Sequence, residues 1–129
     1  MRGGEEIGAR VFNFAVRGVK LTDFLARKPG AGRILSNQFI RAATSIGANF
    51  EEAQAAESRA DFAHKLSIAL KEAREAHWWL RVLAESGLIE RKRILPLTRD
   101  ALGIVRTLGA IIASTKGKRR KRQGVHLES

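Results

Sequence analysis

The amino-acid sequence predicts an all-α protein, built as an antiparallel up-down-up-down four-helix bundle. Three observations favour this fold class. Apolar residues recur at the 3.6-residue period of a helix through most of the chain. The 129 residues include only 2 prolines, and runs of β-branched residues are nearly absent, as expected of helical segments. Turn and capping signals divide the chain into four stretches with short connections, which is the pattern of a bundle.

The first predicted helix runs from about residue 5 to residue 27 and the second from about 33 to 56. In the first helix an apolar stripe begins at Ile7 and Val11, while Phe12, Val16 and Val19 add apolar surface outside it. A helix that is apolar on more than one face usually has more than one neighbour. The Pro-Gly-Ala-Gly segment between the two helices is a strong helix breaker.

The third predicted helix runs from about 59 to 86 and the fourth from about 91 to 115. Ser58, followed three residues later by Asp61, fits a capping box at the start of the third helix. Gly87 is placed to end that helix in the left-handed conformation. The fourth helix starts between Glu90 and Pro96, because proline is accommodated in a first turn. Its predicted core stripe consists of Leu95, Leu102, Val105, Leu108 and Ile112.

The positive charge of the chain is concentrated towards its C-terminus. The formal net charge is +11, with 13 Lys/Arg against 10 Asp/Glu in residues 1–86 and 11 against 3 in residues 87–129. Residues 1–115 are predicted to form the bundle, and 116–129 a disordered basic tail too dense in like charge to pack. Such asymmetry favours a polyanionic partner, nucleic acid first. The alternative is a solvated tail that only keeps the protein soluble.

A set of Lys and Arg side chains on the fourth helix and the tail is predicted to contact the phosphates of RNA or DNA. Such contacts add affinity without reading base sequence, and they weaken as salt rises. The predicted phosphate-binding residues are Arg91, Lys92, Arg93, Arg99, Arg106, Lys116, Lys118, Arg119, Arg120, Lys121 and Arg122.

A polar series on the second helix has the spacing of one helical stripe. We expect it to form a hydrogen-bonded network with the third helix that fixes helix register, since buried polar groups need partners. The alternative is a binding groove. The residues of this predicted network are Arg41, Ser45, Asn49 and Glu52, with Lys65, Lys71, Glu72 and Glu75 as possible mates on the third helix.

The sequence argues against disulfides, metal sites, enzymatic activity and membrane spans. The chain has no cysteine, which excludes disulfides and thiolate chemistry. Asp61-x-x-His64 has no second copy, so a bundle metal site is not expected. No phosphate loop or activated nucleophile is recognisable, and we expect no cofactor and no enzymatic activity. No apolar run approaches the ~20 residues of a membrane span, and the N-terminus lacks a secretory signal, so cytoplasm is the expected location.

Three runs of residues carry a family resemblance: 41–53, which reads RAATSIGANFEEA, 57–73, and Trp79-Leu80. They resemble the bacterial four-helix-bundle family encoded in 23S rRNA intervening sequences. The accessory variability proteins of diversity-generating retroelements look similar too. The resemblance covers roughly residues 11–113, and the R-x-x-x-S-I-x-x-N-x-x-E core at 41–52 is its most specific part.

This resemblance implies properties that composition does not show. It implies a homopentamer in which four-helix bundles form a barrel around a central channel. It also implies nucleic-acid binding through a basic surface in the retroelement branch, with a reverse transcriptase as a partner there. It implies no catalytic residue. A second function class therefore stays open, a protein-interaction module such as an accessory subunit of a reverse transcriptase, with no direct nucleic-acid role.

Overall fold

The computed structural model of the chain describes residues 2–122, with side chains from residue 6 to residue 117. Its elements are four helices, α1 (Arg2–Ala26), α2 (Ala31–Gln54), α3 (Arg59–Glu85) and α4 (Arg91–Arg122). Contacts join α1 to α2, α2 to α3, α3 to α4, and α4 back to α1. The all-α four-helix bundle predicted from the sequence is confirmed.

Helices α1 and α2 run antiparallel, because their contacts pair early residues of one with late residues of the other. Gly8 lies against Phe50, and Gly18 lies against Phe39. A Cβ atom at Gly18 would lie 2.8 Å from the ring of Phe39, so glycine is what allows this close approach. The ring of Phe39 also packs edge-on against Phe14, with ring centroids 6.1 Å apart. Aromatic packing therefore fills the core where α1 meets α2.

Both ends of α3 follow the signals in the sequence. The Oγ of Ser58 accepts a hydrogen bond from the backbone N–H of Asp61 at 3.0 Å. The carboxylate of Asp61 accepts one from the N–H of Glu57 at 3.4 Å, one residue before the cap. Gly87 has a φ of 76°, which an L side chain rarely adopts. The predicted N-cap and left-handed C-terminal glycine are both confirmed.

The core stripe of α4 differs from the predicted one. Leu95, Leu102 and Val105 lie half-buried on a flank of the helix. Apolar residues are frequent enough in α4 that their periodicity is compatible with more than one stripe. Choosing the stripe one residue further along turns it by ~100° around the helix axis. The residues that the core buries are Ile94, Leu97, Ala101, Ile104, Leu108 and Ile112.

Helix α4 also continues past residue 115, where the sequence predicted its end, and runs through Arg122. The prediction of a tail from residue 116 is therefore wrong for 116–122, and residues 123–129 lie outside the described part of the chain. Like-charge repulsion favoured disorder, but Lys and Arg are good helix formers and are favourable near a helix C-terminus. The other helix ends lie within about one turn of the predicted ones.

Candidate nucleic-acid interface

The predicted phosphate-binding residues of α4 do not form one surface. Arg93 lines an open groove of about 290 Å³ on the α1 side, together with Arg17 and Lys20. Arg99 and Arg106 are exposed, and six residues of helix place Arg99 about 120° from Arg93 around the axis. Arg93 therefore belongs to a different surface from the other two arginines.

Two of the predicted residues are engaged with carboxylates, and others lie at the far end of the bundle. Arg91 forms an ion pair with Glu85, and the Nζ of Lys92 is 3.7 Å from a carboxylate oxygen of Glu90. Lys116 lines a cavity of about 240 Å³ beside the first turns of α3. The backbone of 118–122 is helical, while the side chains of Lys118, Arg119, Arg120, Lys121 and Arg122 lie outside the described residues.

A cationic stripe on α3 is not among the residues predicted from the sequence. Lys71, Arg74, Trp78 and Arg81 follow one another at spacings of three, four and three, so they share one side of the helix. All four side chains are exposed, and Trp78 is 52% exposed. The guanidinium carbon of Arg81 lies 5.5 Å from the centre of the Trp78 ring, within cation–π range. The spacing was readable in the sequence, but the outward direction of the stripe was not.

The α3 stripe runs along the seam between α3 and α4. Glu85 continues the stripe at the C-terminal end of α3 and pairs with Arg91 of α4. Ser67, one turn before Lys71, lines the same cavity as Thr115 and Lys116 of α4. Both ends of the stripe therefore border α4.

Two arginines of α4 point outward, away from the core. Around the α4 axis, Arg99 and Arg106 lie about 80° and 60° from Arg91, which pairs with α3, and about 40° and 60° from Gly103, which lies against Arg10 of α1. We call these two arginines and the three cations of the α3 stripe the cationic face, which consists of Lys71, Arg74, Arg81, Arg99 and Arg106.

The charges of the cationic face are not compensated by neighbouring acids. Among the side chains from 6 to 117, none of its five cations forms an ion pair with a carboxylate. The acids of the same stretch of α3 are turned towards α2. There Glu72 and Glu75 both bind the guanidinium of Arg41, at 3.4 Å for Glu72. This part of the surface is therefore positive.

The predicted polar network is reduced to its contact between Arg41 and α3. Arg41 donates hydrogen bonds to Glu75 and Glu72, and Glu75 also accepts one from the indole N–H of Trp79 at 3.3 Å. The hydrogen bond to Glu75 is the main cause that raises the pKa of Arg41 above its ordinary value. Arg41 therefore stays charged and holds α2 to α3.

The remaining members of the predicted network are not joined across the helices. The side-chain amide of Asn49 donates to the backbone carbonyl of Ser45 at 2.8 Å, within α2. Lys65 pairs with Asp61, one turn earlier in its own helix, at 3.3 Å. Glu52 is exposed. Across the two helices the structure thus joins Arg41 to Glu72 and Glu75, whereas Ser45 and Asn49 contact each other within α2 and Lys65 pairs within α3.

Other kinds of site are not found in the part of the chain that the structure describes. Within it, no three or more His, Cys, Asp or Glu side chains are grouped so that they could hold a metal ion. None of the helices, as far as they are described, combines the length and the apolar character needed to cross a bilayer.

Comparison with known proteins identifies the family. Residues 6–110 match the family model described as 23S rRNA-intervening sequence protein. The chain belongs to this family. A solved structure of a protein of unknown function from the S23 ribosomal protein family of Bacteroides thetaiotaomicron is 40% identical, with a TM-score of 0.78. The match covers 86% of this chain and 98% of the other.

No curated protein matches the sequence. The resemblance to the 23S rRNA intervening-sequence family, predicted from the motif at 41–52, is confirmed by the family match over residues 6–110. The relation to the accessory proteins of retroelements stays a prediction.

Proposed function

We propose that this member of the 23S rRNA-intervening sequence protein family binds RNA or DNA through the cationic face and catalyses no reaction. The observation that carries the proposal is the set of five exposed cations on the outward surfaces of α3 and α4, none of which pairs with a carboxylate among the described side chains. From Lys71 to Arg81 the face extends about 15 Å along α3. This length accommodates several phosphates of one nucleic-acid strand.

The chemistry of the face suits phosphate binding without base reading. Lys and Arg on exposed helix surfaces contact phosphate oxygens and release condensed counterions. The side of α4 that holds Arg93 adds Arg17 and Lys20, although Arg17 is paired with Asp100. We place the primary contact on the cationic face for this reason. A cytoplasmic location is part of the proposal.

The test is binding of RNA and of duplex DNA across a salt series, measured by fluorescence anisotropy. The variant Arg99→Glu with Arg106→Glu is expected to weaken binding at every salt concentration, because it replaces two phosphate contacts by repulsion. For duplex DNA, the slope of log affinity against log salt should become smaller by about two. A chain ending at Thr115 measures the contribution of residues 116–129, including the six cations from Lys116 to Arg122.

The matched control is Lys28→Glu with Arg33→Glu. It changes the net charge by the same amount, at two exposed positions near the α1–α2 connection. It should leave the salt slope near that of the wild type, because those two positions lie outside the cationic face. Equal losses in the two double variants would mean that only net charge matters and would refute a localised site. Absence of binding by the wild type at low salt would refute nucleic-acid binding.

A second candidate function is assembly with another protein chain, for which α1 supplies the observation. Phe12 is 72% exposed, and Val16 and Val19 are each 37% exposed. Their spacing of four and three places them on one side of α1, and we call them the apolar stripe of α1. Exposed apolar clusters mark interaction surfaces. A cyclic pentamer, which the family resemblance implies, joins two different surfaces of neighbouring copies. We propose that the apolar stripe of α1 is one of these two surfaces; a reverse transcriptase is the alternative partner.

A further inference from the structure

We infer that Trp78 is a stacking platform for an unpaired base, so that the cationic face takes single-stranded nucleic acid, RNA or DNA, in preference to duplex. This inference rests on the proposed function and adds the class of ligand to it. It is carried by an exposed tryptophan in the middle of a row of cations on α3.

The surroundings of Trp78 are unusual for a tryptophan. A large aromatic side chain normally gains stability by burial, and the adjacent Trp79 does pack against the core. Trp78 instead leaves 52% of its surface accessible. The stripe on either side of it presents Arg74 and Arg81, which are both exposed. The fold therefore holds an aromatic ring at the surface between positive charges.

An aromatic ring between cations matches the chemistry of a single strand. In a single strand the bases are unstacked and can lie on an aromatic side chain, while Lys and Arg hold the phosphates on either side. In a duplex the bases are stacked on each other and are not available to an indole ring. Arg81 already lies 5.5 Å from the centre of the Trp78 ring, and guanidinium groups add cation–π and stacking contacts to such sites.

A second copy of the chain fits this surface less well. Tryptophan and arginine are common in protein interfaces, but Trp78 lies among three cations, Lys71, Arg74 and Arg81, that pair with no carboxylate among the described side chains. Contact between two copies of this surface would bring like charges together. The apolar stripe of α1 lies on the helix diagonally opposite α3, so the exposed apolar surface of α1 and Trp78 lie on separate sides of the bundle. Charge complementarity therefore favours a polyanion as the occupant.

The experiment measures the affinity of the full chain for four labelled probes of equal length, about 12 nucleotides. They are a single-stranded RNA, a single-stranded DNA of the same sequence, an abasic strand and a DNA duplex. Trp78→Ala is expected to weaken binding of the two base-bearing single strands about 5- to 150-fold, the range for loss of one stacked base. It should leave the abasic and duplex affinities, and all salt slopes, unchanged. Unequal losses for RNA and DNA would show which of the two strands the ring holds.

Two variants accompany Trp78→Ala. Trp78→Phe retains a ring and should keep most of the single-strand affinity. Ile34→Ala, which shortens another exposed apolar side chain, on α2, should bind all four probes as the wild type does.

The chain has 2 tryptophans and no tyrosine, so Trp79→Phe leaves Trp78 as the main fluorophore. Stacking should quench its emission when a base-bearing single strand is added, but not when the abasic strand is added. This readout does not depend on the folding of the alanine variant.

Three results would overturn the inference. The first is a Trp78→Ala variant with the wild-type affinity for single strands, the second is an equal loss of duplex and abasic binding, and the third is a change in the mass of the particle in sedimentation. The first two leave nucleic-acid binding intact and remove only the stacking role, and the third assigns Trp78 to a protein interface. If the wild-type chain binds none of the four probes, the proposed function is overturned as well. This outcome differs from the other three, in which the wild type still binds.

Discussion

At the scale of single residues, His77 connects the packing of α3 to pH. Burial, and secondly the positive charge of Arg81, lower the pKa of His77 below its usual value of 6.5. The unfolded chain therefore binds the proton more readily than the folded chain. The free energy of unfolding therefore decreases as pH falls through 6.5 towards the lowered pKa. The stability that comes from burying a neutral His77 is fully present above pH 6.5.

We predict that His77→Gln reduces this pH dependence. Between about pH 7.5 and about pH 5.5 the wild type should lose more stability than the variant, because glutamine takes up no proton. Urea unfolding at fixed protein concentration measures the difference at each pH. His64→Gln, on the exposed side of α3, is the matched control and should keep the wild-type profile. Parallel profiles for the wild type and His77→Gln would contradict the prediction.

Single residues also show where sequence patterns stop being informative. The polar series of α2 has a readable spacing, but several charged residues on α3 were available as partners for Arg41. Only the register of the two helices selects Glu72 and Glu75. Likewise, two adjacent tryptophans must point about 100° apart, yet the pattern does not say which one faces the solvent. Packing decides that Trp78 does.

At the scale of whole helices, capping residues make the boundaries predictable. Each end of α3 has a local signal, the Ser58 hydroxyl at its start and the positive φ of Gly87 after its end. Both depend on local chemistry and are therefore visible in the sequence. The rotation of α4 and its continuation to Arg122 are not local in this sense. The first depends on two neighbouring helices, and the second on the balance of repulsion against helix propensity.

We predict that Ser58→Ala destabilises the fold by about 1 kcal/mol, because the backbone N–H of Asp61 loses its acceptor. Urea unfolding should show a lower midpoint with an unchanged slope. Ser67→Ala is the matched control within the same helix, since the hydroxyl of Ser67 only donates to the carbonyl of Ala63 at 2.9 Å. It should be neutral or slightly stabilising, because alanine is the better helix former. Equal losses in the two variants would rule out a capping role for Ser58.

At the scale of the whole molecule, the two candidate surfaces are separated by the topology of the bundle. The apolar stripe of α1 and the cationic face lie on helices at different corners, because α1 contacts α2 and α4 while α3 is its diagonal partner. An assembly held together through α1 would thus present several cationic faces at once. Linked sites bind a long polyanion more tightly than single sites do, without any new contact.

This arrangement leads to a prediction that separates assembly from binding. Phe12→Asp with Val16→Asp places two charges in the apolar stripe of α1 and should convert the assembly to monomers in sedimentation. Monomers should bind a short single strand with the affinity of one wild-type site, but bind a long strand more weakly, because the multivalent gain is lost. Ile34→Asp puts a charge at another exposed apolar position, 65% exposed on α2, and should leave both mass and long-strand affinity unchanged. If the Phe12 and Val16 variant keeps the mass of the wild-type particle, the copies do not associate through α1. If it becomes monomeric but keeps full long-strand affinity, one cationic face is sufficient for binding.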